Sequence, residues 1–157
     1  MMDTGETAVL WLVNDHKELL LSRQPPAKRK LFAPLSGPGR WGASVIATVG
    51  RDEPPAHALL VEAQEVLRIN PERHEPQELV CISTHRADGG TQTVRFMYSM
   101  VPANIRLIVD KRKASDTRWV SLDGLLYMLD IDPKKLVHEA PTDWPKSLRQ
   151  LRELGLL

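Results

Sequence analysis

One cysteine, Cys81, is all the chain has. That excludes an intrachain disulfide and a cysteine-based metal site, and it suits a reducing compartment. Within the apolar run "ELVCISTH" the thiol is expected to be buried packing rather than a nucleophile. Charge of one sign is also lacking, since 21 basic and 20 acidic residues leave a net charge of +1. No global field recruits nucleic acid or an anionic membrane, so any charge-driven binding must be local. No apolar run approaches the ~20 residues that span a bilayer, and "AVLWLV" lacks a signal peptide's flanks. A cytoplasmic protein is expected. No repeat, low-complexity segment or composition break appears, so residues 1–157 are read as one domain.

What is present reads as a mixed order of elements. "TAVLWLVND" and "KELLLSRQ" form a hairpin about Asp15-His16. "PPAKRKLFAPLSGPGRW" is rich in proline and glycine and marks a long surface loop. "ASVIATV" at 43–49 is a short strand. Pro54-Pro55 then opens a helix, with Asp52 or Glu53 able to cap it. "ELVCISTH" and "TQTVRFMYSMV" are strands joined through "RADGG". "IRLIVD" reads as a strand or an irregular run. "RWVSLDGLLYML" is a strand turning into a helix with Ser121 or Asp123 at its cap. "TDWPKSLRQLRELGLL" is a terminal amphipathic helix with Leu148, Leu151 and Leu154 as its apolar stripe. Strands, helix, strands and final helices argue an α/β fold, a mixed sheet with helices on its faces.

The helix after Pro55 carries the candidate chemistry. At ~100° per residue, Ala56, Leu59, Leu60, Ala63 and Leu67 share one stripe. Glu62 and Glu65 converge on a neighbouring face, and Glu53 stands at the entrance. Alone, two helix glutamates read as solvated surface. Set after a strand and a proline-rich loop, they offer the hard oxygen ligands that magnesium prefers. The basic cluster "AKRK", with Arg23 and Arg40, suits a phosphorylated substrate. Arg23, Lys28, Arg29 and Arg40 are therefore candidate substrate-binding residues. His16, His57, His74, His85 and His138 show no metal-ligand spacing. Trp41, Trp119 and Trp144 are expected to pack rather than stack on a base.

Residues 47–69 resemble the Nudix box, G-x(5)-E-x(7)-R-E-U-x-E-E-x-G-U with U aliphatic. Glu53, Glu62, Ala63, Glu65 and Ile69 match it without a gap. Ala47 stands at the glycine, Val61 at the arginine, Val66 at the second glutamate of the pair and Arg68 at the late glycine. Trp41 resembles the tryptophan that precedes the box, and "TRWVSLDGLL" the family's late strand-to-helix segment.

The resemblance implies a Nudix-type α/β/α sandwich. It implies a hydrolase that cleaves a diphosphate bond in a nucleoside-diphosphate-linked substrate with Mg2+ or Mn2+. Glu62 and Glu65 would be catalytic, and Glu53, Glu62 and Glu65 would bind the metal. A fourth acid from "VDKRKASD", Asp110 or Asp116, would complete the site. Val66 offers a metal nothing and Val61 cannot tie loop to helix, so a weak site is expected. The alternative is an inactive Nudix-fold domain that binds a nucleotide or a protein partner. A small-molecule ligand is expected rather than nucleic acid or membrane. A homodimer is compatible with the sequence, though no feature points to it.

Overall fold

A computed structural model describes residues 4–23, 39–70, 73–85, 89–137 and 140–157. Strand β1 (Thr4–Asn14) turns into β2 (Glu18–Arg23). The Asn14 side-chain oxygen accepts the backbone N–H groups of His16 and Glu18 at 2.9 and 3.0 Å, which closes the turn locally. The hairpin is real but brief, because β1 and β2 pair at Val13↔Leu19 and then diverge.

The chain returns to fill the gap between them. Strand β3 (Trp41–Gly42) pairs with β2, and β4 (Val45–Thr48) pairs with β1 from Thr7↔Thr48 to Leu10↔Val45. Between the two short strands lies Ser44, fully buried. Its Oγ accepts the Leu12 N–H at 2.8 Å and donates to the Leu20 carbonyl at 2.6 Å, stapling the splayed pair.

Strands β5 (Gln77–His85) and β6 (Thr91–Val101) form the second hairpin. Strand β6 runs parallel to β1 in unbroken register from Thr4↔Thr91 to Asn14↔Val101. Strand β7 (Asp116–Ser121) pairs antiparallel with β2, so the sheet is mixed, as expected.

Alternation along the strands sends side chains to opposite faces. Leu10, Leu12, Leu20, Val45 and Ala47 pack on one face against helix α1 (Pro55–Leu67), which buries Leu59, Ala63, Val66 and Leu67 there. Each such aliphatic side chain contributes about 1.5–3 kcal/mol by leaving water. The helix stripe differs from expectation in two places: Ala58 and Val66 are buried, whereas Ala56 and Leu60 are only partly so. Val9, Trp11, Leu19, Leu21 and Phe96 pack on the other face. Helices α2 (Leu122–Ile131) and α3 (Ala140–Glu153) cover that side, and the Trp11 and Trp144 rings meet edge to face at 5.0 Å. The result is an α/β/α sandwich.

Local signals behave as chemistry dictates. Ser121 caps α2 by accepting the Gly124 N–H at 3.1 Å. Leu148 and Leu151 are buried on α3, whereas Leu154 is 49% exposed because the helix has already ended. The segment "IRLIVD" is irregular rather than a strand. Cys81 is exposed, not buried. Its neighbours Val80 and Ile82 turn inward toward the α3 side, so parity sends the thiol outward from β5.

Candidate functional site

Pro55 stands at the first turn of α1, where its missing N–H costs nothing. The cap residue is Pro54, so neither Asp52 nor Glu53 caps the helix through its side chain. The Glu53 carboxylate turns back instead. It accepts the Gly50 N–H at 3.0 Å on Oε1 and meets His57 Nδ1 at 3.0 Å on Oε2. The Gly50 bond, and then the His57 bond, hold its pKa below the ordinary carboxylate range.

Glu62 and Glu65 do converge, but on a lysine. Lys113 Nζ lies 2.6 Å from Glu65 Oε2 and 3.4 Å from Glu62 Oε1. The bond to Glu65 leads the effects that raise the Lys113 pKa, so the ammonium stays charged. Lys113 reaches the pair because the irregular segment before it docks on the end of α1. The Ile108 N–H donates to the Leu67 carbonyl at 3.1 Å and the Asp110 N–H to the Val66 carbonyl at 2.8 Å. Those are carbonyls that a helix end leaves without intrahelical partners. Asp110 itself faces Arg112, whose side-chain bonds lower the Asp110 pKa, and does not join the glutamates.

A cleft of about 150 Å³ opens beside α1, lined by Ser22, Arg23, Ser44, Glu62, Val66 and Lys113 among others. Gly42 and Ile46 from β3–β4 complete its wall. Lys113 is already paired with Glu62 and Glu65, so Arg23 is the cation of the lining left to attract an anion.

A resident divalent ion is what the box resemblance implies, and the donor set does not fit one. The point shared by Glu62 and Glu65 is taken by the Lys113 ammonium. Val66 is buried at 7% exposure and presents methyl groups. Glu53 is engaged with Gly50 and His57. Among the described residues, no group of three or more His, Cys, Asp or Glu is arranged to hold a metal.

The other expected site residues divide. Arg23 lines the α1 cleft and also a second cavity, of about 450 Å³, shared with Arg40, Trp41, Asp116 and Arg118. Asp116 therefore stands with the arginines, apart from the glutamates. Lys28 and Arg29 lie outside the described residues. Lys113 was missed by sequence reasoning, which took "VDKRKASD" only for its aspartates. No helix among the described residues is long and apolar enough to cross a membrane.

No protein-family model and no curated protein matches the sequence. Solved structures do. The MutT protein of Methanosarcina mazei Go1 superposes with a TM-score of 0.67 at 16% identity, covering 98% of this chain and 96% of that one. An Ap4A hydrolase of C. elegans, solved as a binary complex, gives 0.64 at 15% identity over 97% and 98%. The NUDIX domain of Shewanella oneidensis NrtR, complexed with ADP ribose, gives 0.65 at 15% identity over 99% and 90%. Identities this low speak to architecture, and on architecture the agreement spans nearly the whole chain: it has the Nudix fold.

Proposed function

We propose that this chain is a Nudix-fold domain that binds a nucleoside-diphosphate-type ligand in the α1 cleft without a resident metal. One observation carries the reading: the Lys113 ammonium sits between Glu62 and Glu65, where the box resemblance would put a divalent cation. A lysine supplies charge to a phosphate but cannot make bound water a nucleophile as a metal does. Arg23 and Lys113 would face the phosphates, with Ser22 offering a hydroxyl at the same wall. At about 150 Å³ the cleft is smaller than ordinary ligand pockets of roughly 300 Å³ and above. It suits a diphosphate group, with the rest of the ligand lying outside. The ADP ribose held by the NrtR domain and the Ap4A hydrolase complex support this ligand class by analogy of fold.

A second reading has its own observation. Glu62 and Glu65 keep their box positions and aim at one point, which favours a weak hydrolase that takes up its ion together with substrate, after Lys113 withdraws. The two readings part in one experiment. ADP-ribose and a dinucleoside polyphosphate are titrated calorimetrically in EDTA and in Mn2+, and turnover is followed in parallel. The binding reading expects similar affinity in both buffers, no turnover, and an affinity loss of about tenfold in Lys113→Ala. Turnover by the wild-type protein in Mn2+ overturns it in favour of the hydrolase. No turnover in the wild type, with none gained in Val66→Glu, removes the hydrolase.

A further inference from the structure

The second cavity lies on the far face of the sheet, and its chemistry is the more strongly basic of the two. Register explains its composition. Arg23 on β2 stands opposite Trp41 on β3 and opposite Asp116 on β7, and Leu21 stands opposite Arg118. Alternation puts Arg23 on the same face as Leu21 and Leu19, the face covered by α2 and α3. The chain after α2 then brings in Lys134 and Lys135 on a short 3-10 turn, Pro133–Lys135. That turn is pinned, because the Val137 N–H donates to the Trp41 carbonyl at 3.0 Å and Leu136 bridges to Trp41.

We propose that this cavity, walled by Arg23, Arg40, Arg118, Lys134 and Lys135 around Trp41, binds a small polyphosphorylated molecule. Five cations share about 450 Å³ with a single carboxylate, Asp116. Asp116 already accepts the Thr117 N–H at 2.8 Å. Lys135 meets Asp132 at 3.6 Å, but among the described residues no carboxylate pairs with Arg40, Arg118 or Lys134. Gathering unpaired cations around one space is unfavourable unless an anion enters it.

The guanidinium groups are also held in place. Those of Arg23 and Arg118 each lie 5.8 Å from the Trp41 ring centroid, within cation–π reach. Arg23 Nε further donates to the Gly39 carbonyl at 3.0 Å. Arginine forks bind phosphate in a bidentate manner, and several forks and ammoniums around one space suit several phosphates. The indole holds guanidiniums, which favours phosphate over a stacked base as the group recognised. The volume is that of a small-molecule pocket, and the net charge of +1 gives no broad field for a nucleic-acid backbone.

The site is independent of the α1 cleft, apart from Arg23, which lines both. Its test therefore leaves Arg23 alone. Inorganic tripolyphosphate is titrated calorimetrically, in EDTA, into the wild type, the triple variant Arg118→Ala/Lys134→Ala/Lys135→Ala, and Lys113→Ala. The wild type should show a binding step whose affinity falls as salt rises. The triple variant should weaken that step at least about tenfold, whereas Lys113→Ala should retain it and lose only a step that belongs to the α1 cleft. Arg118, Lys134 and Lys135 are exposed, so the triple variant should keep the wild-type melting temperature, which is measured alongside. No binding by wild type at millimolar tripolyphosphate overturns the proposal, as does equal binding by the triple variant. Tighter binding of a single-stranded RNA through the same three residues overturns the small-molecule class. Loss of binding in Lys113→Ala, with the triple variant unaffected, places tripolyphosphate in the α1 cleft instead.

Discussion

The backbone N–H of Asp110 meets the carbonyl oxygen of Val66 at 2.8 Å, and this bond decides where Lys113 falls. It fixes a turn in which the Lys113 N–H donates back to the Asp110 carbonyl at 3.0 Å, three residues earlier. The side chain of Lys113 is thereby delivered to Glu65, next to Val66, and to Glu62, one turn back along α1. Val66 thus acts twice: its side chain closes the core under α1, and its carbonyl anchors the segment that brings the lysine.

If Lys113 is the counter-ion of the acidic pair, removing it uncovers a cation site. Lys113→Met should bind Mn2+ at least about tenfold more tightly than the wild type, read by electron paramagnetic resonance of the free ion. Equal Mn2+ affinity in the two proteins would mean that the lysine does not guard the pair. The variant keeps a long apolar stem, so packing along α1 is preserved and the readout reports charge.

Helix α1 ends on a residue that its backbone does not suit. Arg68, at the late-glycine position of the box, has φ of 57° and sits in the left-handed region. Its N–H still donates to the Gln64 carbonyl at 3.1 Å, so the cap is made at the expense of backbone strain. Arg68→Gly should stabilise the fold by about 0.5–1 kcal/mol, seen as a higher melting temperature. A lower one would show that the arginine side chain contributes more than its backbone costs.

Several of these features were legible in the sequence, and the others fail for identifiable reasons. Pro54-Pro55 followed by good helix formers placed α1, and the choice of Ser121 or Asp123 bracketed the α2 cap, which Ser121 makes. Both are local, so sequence neighbours are spatial neighbours. The exposure of Cys81 was also readable from parity, since Val80 and Ile82 on either side of it must share the opposite face of β5. The Glu53–His57 pair was available too, four residues apart across the start of α1. Lys113 was not legible. It lies 48 residues from Glu65 in the chain, and only the docking of an irregular segment on α1 joins them. The same holds for the basic cavity, whose cations come from β2, the residue before β3, β7 and the turn after α2 and meet only once the sheet has formed.

Ser44 gives the sheet its wedge. Its hydroxyl satisfies the Leu12 N–H and the Leu20 carbonyl, both inside the fold, at the point where β1 and β2 part. Ser44→Ala strands both groups without changing volume much, at about 1–3 kcal/mol for each. Chemical denaturation should show a loss of about 2–4 kcal/mol. Because Ser44 also lines the α1 cleft, ligand affinity there should fall in the same variant. A change below about 0.5 kcal/mol would mean that water replaces the hydroxyl, and that the wedge does not depend on it.

Glu53 supplies the pH dependence at the helix entrance. Its folded-state pKa is lowered, first by the Gly50 N–H and then by His57, so the folded state favours its ionised form more than the unfolded state does. The sign follows: the stabilisation is complete above the ordinary glutamate value of about 4.3 and is lost as pH falls through the depressed folded value. Glu53→Gln keeps an oxygen for the Gly50 N–H and removes only the charge. Its melting temperature should lie below that of the wild type at about pH 7, and the gap should close on acidification to about pH 3. A gap that persists unchanged at low pH would assign the effect to packing at the loop, and would leave the ionised Glu53 carboxylate without a part in holding the entrance to α1.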